Sequence, residues 1–127
     1  MSDRHTTERL LRALYEARIG GDLERLCALF APDATLRISG ATDGKPISVT
    51  ARGSEEIRTW LATLVKTFKI SSHQMLTSVG EDAHAAVHWR CKIHSRITGA
   101  VVVTELMDFF EIRADQIHSY VEFFVPC

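Results

Sequence analysis

Cysteine is scarce in this chain of 127 residues: Cys27, Cys91 and Cys127 are too few and too scattered for a disulfide framework or a zinc site. An excess of one charge is missing as well. Fifteen lysines and arginines against 16 aspartates and glutamates leave a formal charge of −1, which gives neither nucleic acid nor an anionic membrane a reason to bind. No basic run is interleaved with aromatics, and apolar runs end after a few residues, short of a bilayer span. The opening Met1-Ser2-Asp3-Arg4-His5 lacks the apolar core of a signal peptide. There is no Gly-rich phosphate loop, no Gly-x-Ser-x-Gly elbow, and no linker, repeat or low-complexity stretch. His84 and His88 would be neighbours on a helix but lie roughly 13 Å apart on a strand, so no metal is expected. These absences predict a cytoplasmic protein with free thiols and no cofactor, bound to neither nucleic acid nor membrane.

What is present is a core. Apolar residues make up 46% of the sequence, and the length suits one domain, residues 1–127, burying about two thirds of its unfolded surface. Thr6 or Thr7 can cap a first helix whose buried stripe is Leu10, Leu11, Leu14 and Ala17, ended by Gly20-Gly21. Asp22 caps a second, short helix with Leu23, Leu26 and Phe30 on one side, and Pro32 cannot continue it. Thr35-Leu36-Arg37-Ile38 alternates like a strand; Asp43-Gly44 marks a hairpin, and Ile47 and Val49 return. Ser54 is placed to cap a third helix, with Ile57, Trp60, Leu61, Leu64 and Phe68 as its apolar face. Strands follow at 71–79, 84–96, 100–112 and 116–125. Helices first and a strand meander last predict an α+β domain, with helices on one face of a curved sheet.

Antiparallel partners share a face, so loop lengths decide which side chains meet. A three-residue loop at Thr98-Gly99-Ala100 pairs Trp89 with Phe109, Cys91 with Met107 and Arg90 with Asp108. A loop centred on Ala114-Asp115 pairs Phe109 with Tyr120, Met107 with Glu122, Glu111 with His118 and Glu105 with Phe124. One face then carries Trp89, Phe109, Tyr120, Cys91, Met107 and Glu122. The other carries Arg90, Asp108, Leu106, Phe110, Ile112 and Phe123. Both are too apolar to face water, so a homodimer through the outer face is expected.

The order helix, Gly21-Asp22-Leu23, Leu29-Phe30, Ala31-Pro32-Asp33-Ala34, strand resembles the start of the nuclear transport factor 2 superfamily. That group holds steroid isomerases, SnoaL-like polyketide cyclases and limonene-epoxide hydrolases beside non-catalytic binding domains. The resemblance implies a cone of about three N-terminal helices on a mixed, mostly antiparallel sheet enclosing a small-molecule pocket. It also implies an acidic residue on the last strand before an aromatic pair, here Glu122 in Tyr120-Val121-Glu122-Phe123-Phe124. Steroid isomerases need a helix tyrosine, a base on the first strand and a protonated aspartate on a later one. Aligned on Gly21-Asp22, those positions hold Leu14, Ile38 and Met107, all apolar, while Tyr15 stands one residue, about 100°, round the helix. The epoxide hydrolases' Arg-x-Asp pair keeps only Arg90 in Arg90-Cys91-Lys92.

Glu122 is the leading candidate for proton transfer, because apolar surroundings raise a carboxyl's pKa. Glu105, one row away, and His118 are the assisting candidates. Tyr120 and Trp89 offer polar tips on apolar walls for a ligand, with Met107, Phe109, Leu14, Ile38 and Trp60 as further lining. The expectation is a small, largely apolar organic ligand and either cofactor-free acid–base chemistry or a non-catalytic binding or dimerisation module.

Overall fold

The computed structural model describes residues 4–42 and 44–127. Helices α1 (Arg4–Gly20) and α2 (Leu23–Ala28) precede strands β1 (Phe30–Thr42) and β2 (Lys45–Arg52). Helix α3 (Gly53–Thr67) leads into β3 (Phe68–Glu81), β4 (His84–Ser95), β5 (Val101–Arg113) and β6 (Gln116–Pro126). The strands form one curved sheet in the order β2-β1-β6-β5-β4-β3. Every pairing is antiparallel except β1 with β6, which brings the first strand beside the last. The expected α+β architecture, three helices on a mixed sheet, is the observed one.

The helices form for the reasons the sequence supplies, with two corrections at their starts. Leu10, Leu11, Leu14 and Ala17 are buried along α1, joined by Thr7 and Tyr15. Asp22 caps α2, its Oδ1 accepting from the Arg25 N–H at 3.1 Å. Helix α1 already includes Arg4, so Thr6 and Thr7 lie inside it rather than at the N-cap position. Ser54 is not the α3 cap either: Arg52 holds that position, its N–H donating to Glu56 Oε1 at 3.1 Å, while Ser54 Oγ donates to the Pro32 carbonyl at 3.4 Å. Ile57 and Leu61 of α3 are buried, but Trp60 and Phe68 are each 39% exposed. The β1–β2 turn closes between Thr42 and Lys45, with Gly44 at φ 74°; Asp43 lies outside the described residues.

The registers of the last hairpins differ from expectation, and one residue's slip exchanges the two faces of a strand. Ser95 and Ala100 close a four-residue turn, because the Ser95 hydroxyl oxygen accepts from the N–H groups of Ile97 and Thr98 at 3.3 and 3.1 Å. Trp89 therefore opposes Leu106, and Arg90 opposes Glu105. At the β5–β6 turn, Ala114 and Asp115 both adopt positive φ, 50° and 62°, and Ile112 opposes Ile117 as the turn predicts. The next pair is Glu111 with Ser119, so His118 bulges out of the ladder. That extra residue moves Glu122 from beside Met107 to beside Asp108. Leu106, Asp108, Phe110 and Ile112 consequently point into the core, while Met107, Phe109 and Phe123 lie on the exposed face.

Inner rows run straight across the sheet. Val87, Asp108, Glu122 and Ile38 form one, and Ala85, Phe110, Tyr120 and Leu36 form the next. On the other side of the Asp108–Glu122 row, Gly40 opposes Phe124, whose ring occupies the space a Cβ at Gly40 would need, 2.5 Å from its nearest carbon. Gly40→Ala is expected to cost about 1–3 kcal/mol through overpacking, read as a lower urea midpoint. Phe124→Leu in that background should recover part of the loss. An unchanged midpoint in the single variant would mean the ring is not held against the strand.

Candidate functional site

Two acids stand side by side in the core. Asp108 on β5 and Glu122 on β6 are direct cross-strand neighbours on the inner face, 0% and 2% exposed. Side chains so placed have Cβ atoms about 5 Å apart, where two like charges repel. Three donors converge from elsewhere. Tyr15 on α1 donates its hydroxyl to Asp108 Oδ2 at 2.5 Å, and Trp89 on β4 donates Nε1–H to the same oxygen at 2.8 Å. Tyr120, two residues from Glu122 on β6, lies 2.9 Å from Glu122 Oε2 and 3.2 Å from Asp108 Oδ2. It has one hydrogen, and the shorter contact is to Glu122.

The counter-charge comes from α1. Arg18 follows Leu11 and Leu14 by seven and four residues, so it lies on the helix's buried stripe. Its two terminal nitrogens engage both oxygens of Glu122, Nη2 donating to Oε1 at 2.8 Å and Nη1 to Oε2, and Nη1 also donates to the Tyr120 oxygen at 2.5 Å. The guanidinium lies 5.4 Å from the Trp89 ring centre.

These surroundings drive the two acids apart. Burial and then the neighbouring Glu122 charge push Asp108 well above the usual carboxylate range, outweighing Arg18 and Tyr15. Burial acts in the same direction on Glu122, but the charge and hydrogen bonds of Arg18 overcome it and hold Glu122 below its ordinary value. Burial weakens the Arg18 cation; the Glu122 charge more than restores it. Within this cluster these directions favour a cationic Arg18, an ionised Glu122 and a neutral Asp108. Asp108 Oδ2 takes the donors, while Oδ1 is buried and without a hydrogen-bond partner among the described residues; a side-chain hydrogen bond between the two acids further raises Asp108 and lowers Glu122. An unmatched buried polar atom costs about 1–3 kcal/mol, and a ligand oxygen accepting from it would relieve that cost. A carboxylic acid kept neutral so that it can donate is an established catalytic device.

The sequence candidates divide sharply. Glu122, Tyr120, Trp89, Leu14 and Ile38 are all buried on the inner side. Glu122 is not raised toward neutrality as expected, because Arg18 reverses the effect of burial. Met107 and Phe109 face outward, because the four-residue turn sets Trp89 opposite Leu106 rather than Phe109, and Trp60 is exposed on α3. Glu105 is also outward, against His88 Nε2 at 3.0 Å, and so cannot share a proton with Glu122. His118 turns to the surface pair Arg113 and Asp33, at 3.4 and 3.8 Å. Arg90 and Asp108, expected together on the outer face, are on opposite faces. Cys91 is buried on the inner face, its thiol pushed up to about 11 chiefly by burial, which leaves it un-ionised at neutral pH.

Tyr15, Arg18 and Asp108 were missed. Each interrupts an otherwise apolar stripe or strand, and that was the available signal. Tyr15 and Asp108 each follow by one residue the apolar positions, Leu14 and Met107, that the steroid-isomerase alignment assigned to the tyrosine and the protonated aspartate. The third such position, Ile38, is the β1 residue directly beside Glu122.

A cavity of about 490 Å³ lies away from the acids. It lies between the first turns of α1 (Arg4, Thr7, Glu8, Leu11) and the β3–β4 hairpin, including Ser78, Gly80, Glu81, Asp82, His84 and Ala85. The space around the acids is filled by Tyr15, Arg18, Trp89 and Tyr120. No group of three or more His, Cys, Asp or Glu side chains among the described residues is arranged to hold a metal ion. No described helix is long and apolar enough to cross a membrane.

Comparison with known proteins places this geometry. Residues 11–120 match the family model described as a SnoaL-like domain. A candidate isomerase from Bacillus subtilis superposes with TM-score 0.83 at 19% identity, over 98% of this chain and 89% of that one. An NTF2-like protein from Burkholderia xenovorans gives 0.78 at 17%, over 96% and 91%. An LEH-like epoxide hydrolase from M. tuberculosis gives 0.72 at 14%, over 94% and 83%. No curated protein matches the chain.

The opposed ionisations set the pH dependence of stability. Asp108, raised on folding, contributes stability below its unfolded pKa of about 3.9 and loses it as pH rises toward its folded value. Glu122, lowered on folding, contributes above about 4.3 and loses stability as pH falls. Urea titrations from mildly acid to alkaline pH should therefore show wild-type stability declining as pH rises. Asp108→Asn should flatten that decline and keep the loss on the acid side. Parallel curves for the two proteins would contradict the neutral state of Asp108.

Proposed function

The chain belongs to the SnoaL-like domain family, and from that premise we propose that it binds a small, largely apolar organic molecule and moves a proton on it without a cofactor. Glu122 is the acceptor and Asp108 the donor. The observation that carries this reading is the directly opposed, buried acid pair, in which burial and Glu122 raise Asp108 while Arg18 holds Glu122 low, with Asp108 Oδ1 buried and without a hydrogen-bond partner among the described residues. In the isomerase form of the reaction, the substrate's carbonyl oxygen accepts from Asp108, whose Oδ2 is held by Tyr15 and Trp89. Glu122 removes a proton from the adjacent carbon; the electron pair moves to the carbonyl oxygen, giving a dienolate that Asp108 holds by its hydrogen bond while keeping its proton. The same proton returns at the far carbon, so no atom is gained or lost. Although the alignment puts apolar Leu14 and Met107 at the tyrosine and aspartate positions, their neighbours Tyr15 and Asp108 bring those two groups to the acids, and Glu122 stands beside Ile38, the position of the missing strand base.

The 490 Å³ cavity supports a route inward. Its wall includes Leu11, one helical turn from Tyr15, and Ala85, two residues from Val87 in the Asp108 row. The expected probe is a β,γ-unsaturated cyclohexenone, followed by the absorbance of its conjugated product. Glu122→Gln and Asp108→Asn should each reduce turnover by about 10²–10⁴-fold while leaving probe binding by NMR intact. Diol formation from cyclohexene oxide instead would point to the hydrolase form of the same couple. Binding of either probe with no product would identify a non-catalytic binding module.

The outer sheet face is proposed as a homodimer contact. Met107, Phe109, Phe123 and Val125 are large apolar side chains exposed there, more than a solvated face ordinarily carries. Sedimentation velocity should give a dimer that Phe109→Lys with Phe123→Lys converts to monomer. A wild-type monomer at micromolar concentration would refute it.

A further inference from the structure

We propose that Arg18 is the positioning residue that gives the two acids their opposite roles: by engaging Glu122 through both terminal nitrogens, it makes Glu122 the anion and leaves the proton on Asp108. The inference rests on the proton-transfer reading only for calling those roles donor and acceptor. The ionisation order itself stands on geometry.

The titratable groups facing the couple come from four elements. They are Tyr15 and Arg18 from α1, Cys91 from β4, Asp108 from β5, and Tyr120 and Glu122 from β6. Arg18 is the one cation among them. Its planar fork matches a carboxylate's two oxygens, which a single ammonium cannot do. Without it, hydrogen bonds would decide the order in the opposite sense. Asp108 holds two dedicated donors, Tyr15 and Trp89, whereas Glu122 would keep the shared hydrogen of Tyr120 and its contact with Asp108, across which either acid can be the donor. Donors stabilise the ionised form, so Asp108 would ionise and Glu122 would take the proton. Arg18 therefore reverses the order that the neighbouring donors favour. Because Arg18 belongs to α1 and both acids belong to the sheet, the roles of the acids depend on α1 being seated.

Carbon-13 NMR titration of the side-chain carboxyls tests this without a substrate, so its outcome is independent of whether turnover is found. Resonances are assigned with Asp108→Asn and Glu122→Gln. In wild type, Glu122 should be ionised and Asp108 protonated at neutral pH. Arg18→Gln should exchange the two, raising the Glu122 midpoint by about 1–3 pH units, the range one close opposite charge accounts for. Arg18→Lys keeps the charge but loses the fork; Glu122 should stay ionised with a midpoint above wild type. An ionised Asp108 in wild type, or an ionised Glu122 in Arg18→Gln, would overturn the proposal. If Arg18→Gln does not fold, Arg18→Lys decides: a raised Glu122 midpoint supports the proposal, and an unchanged one overturns it.

Discussion

The Arg18–Glu122 ion pair is the interaction on which the interior depends. Two carboxyls on adjacent strands of a buried face cannot both be ionised in a medium of low polarity. One cation, held by both of its terminal nitrogens, makes one of the acids a stable anion, and the other stays neutral. Tyr120 completes the anion's partners, and Tyr15 and Trp89 hold the neutral acid. Removing one partner from a buried pair typically costs about 3–5 kcal/mol, because the remaining charge is stranded. The cluster thus ties α1 to the sheet as well as arranging the chemistry.

Its geometry rests on two backbone details. The parallel pairing of β1 with β6 places Ile38 beside Glu122 and closes the core around the last strand. The bulge at His118 shifts β6 by one residue against β5, which brings Asp108 rather than Met107 to Glu122. Without that bulge β6 would present its other face: Glu122 would turn outward beside Met107, and Asp108, kept inward by the β4 register, would stand without a neighbouring acid. A single unpaired residue near a turn therefore decides whether the site has one acid or two.

This explains which parts were legible in the sequence. The α1 stripe, the Asp22 cap and the order of the strands follow from periodicity and capping, which are local, and the architecture is legible in them, although Phe30 and Phe68, expected on α2 and α3, open β1 and β3. The turn at Ala114-Asp115 was legible too. The bulge three residues later was not, because no local signal distinguishes His118 from a paired strand residue. Glu122 was found as a polar residue in an apolar strand. Asp108 carried the same signal in Leu106-Met107-Asp108-Phe109-Phe110, but the inferred register assigned it to the outer face. Arg18 lay at the end of a helix where cations are ordinary, and its partner was 104 positions away. Long-range pairing, not local preference, assembled the site.

The most direct test is to locate the protons by neutron diffraction from a deuterium-exchanged crystal of the wild-type protein at neutral pH. The account predicts deuterium on an Asp108 carboxyl oxygen, none on Glu122, and a fully deuterated Arg18 guanidinium between Glu122 and Tyr120. Deuterium on Glu122 with Asp108 bare would reverse donor and acceptor. Two bare carboxylates would contradict the neutral acid from which the chemistry was argued.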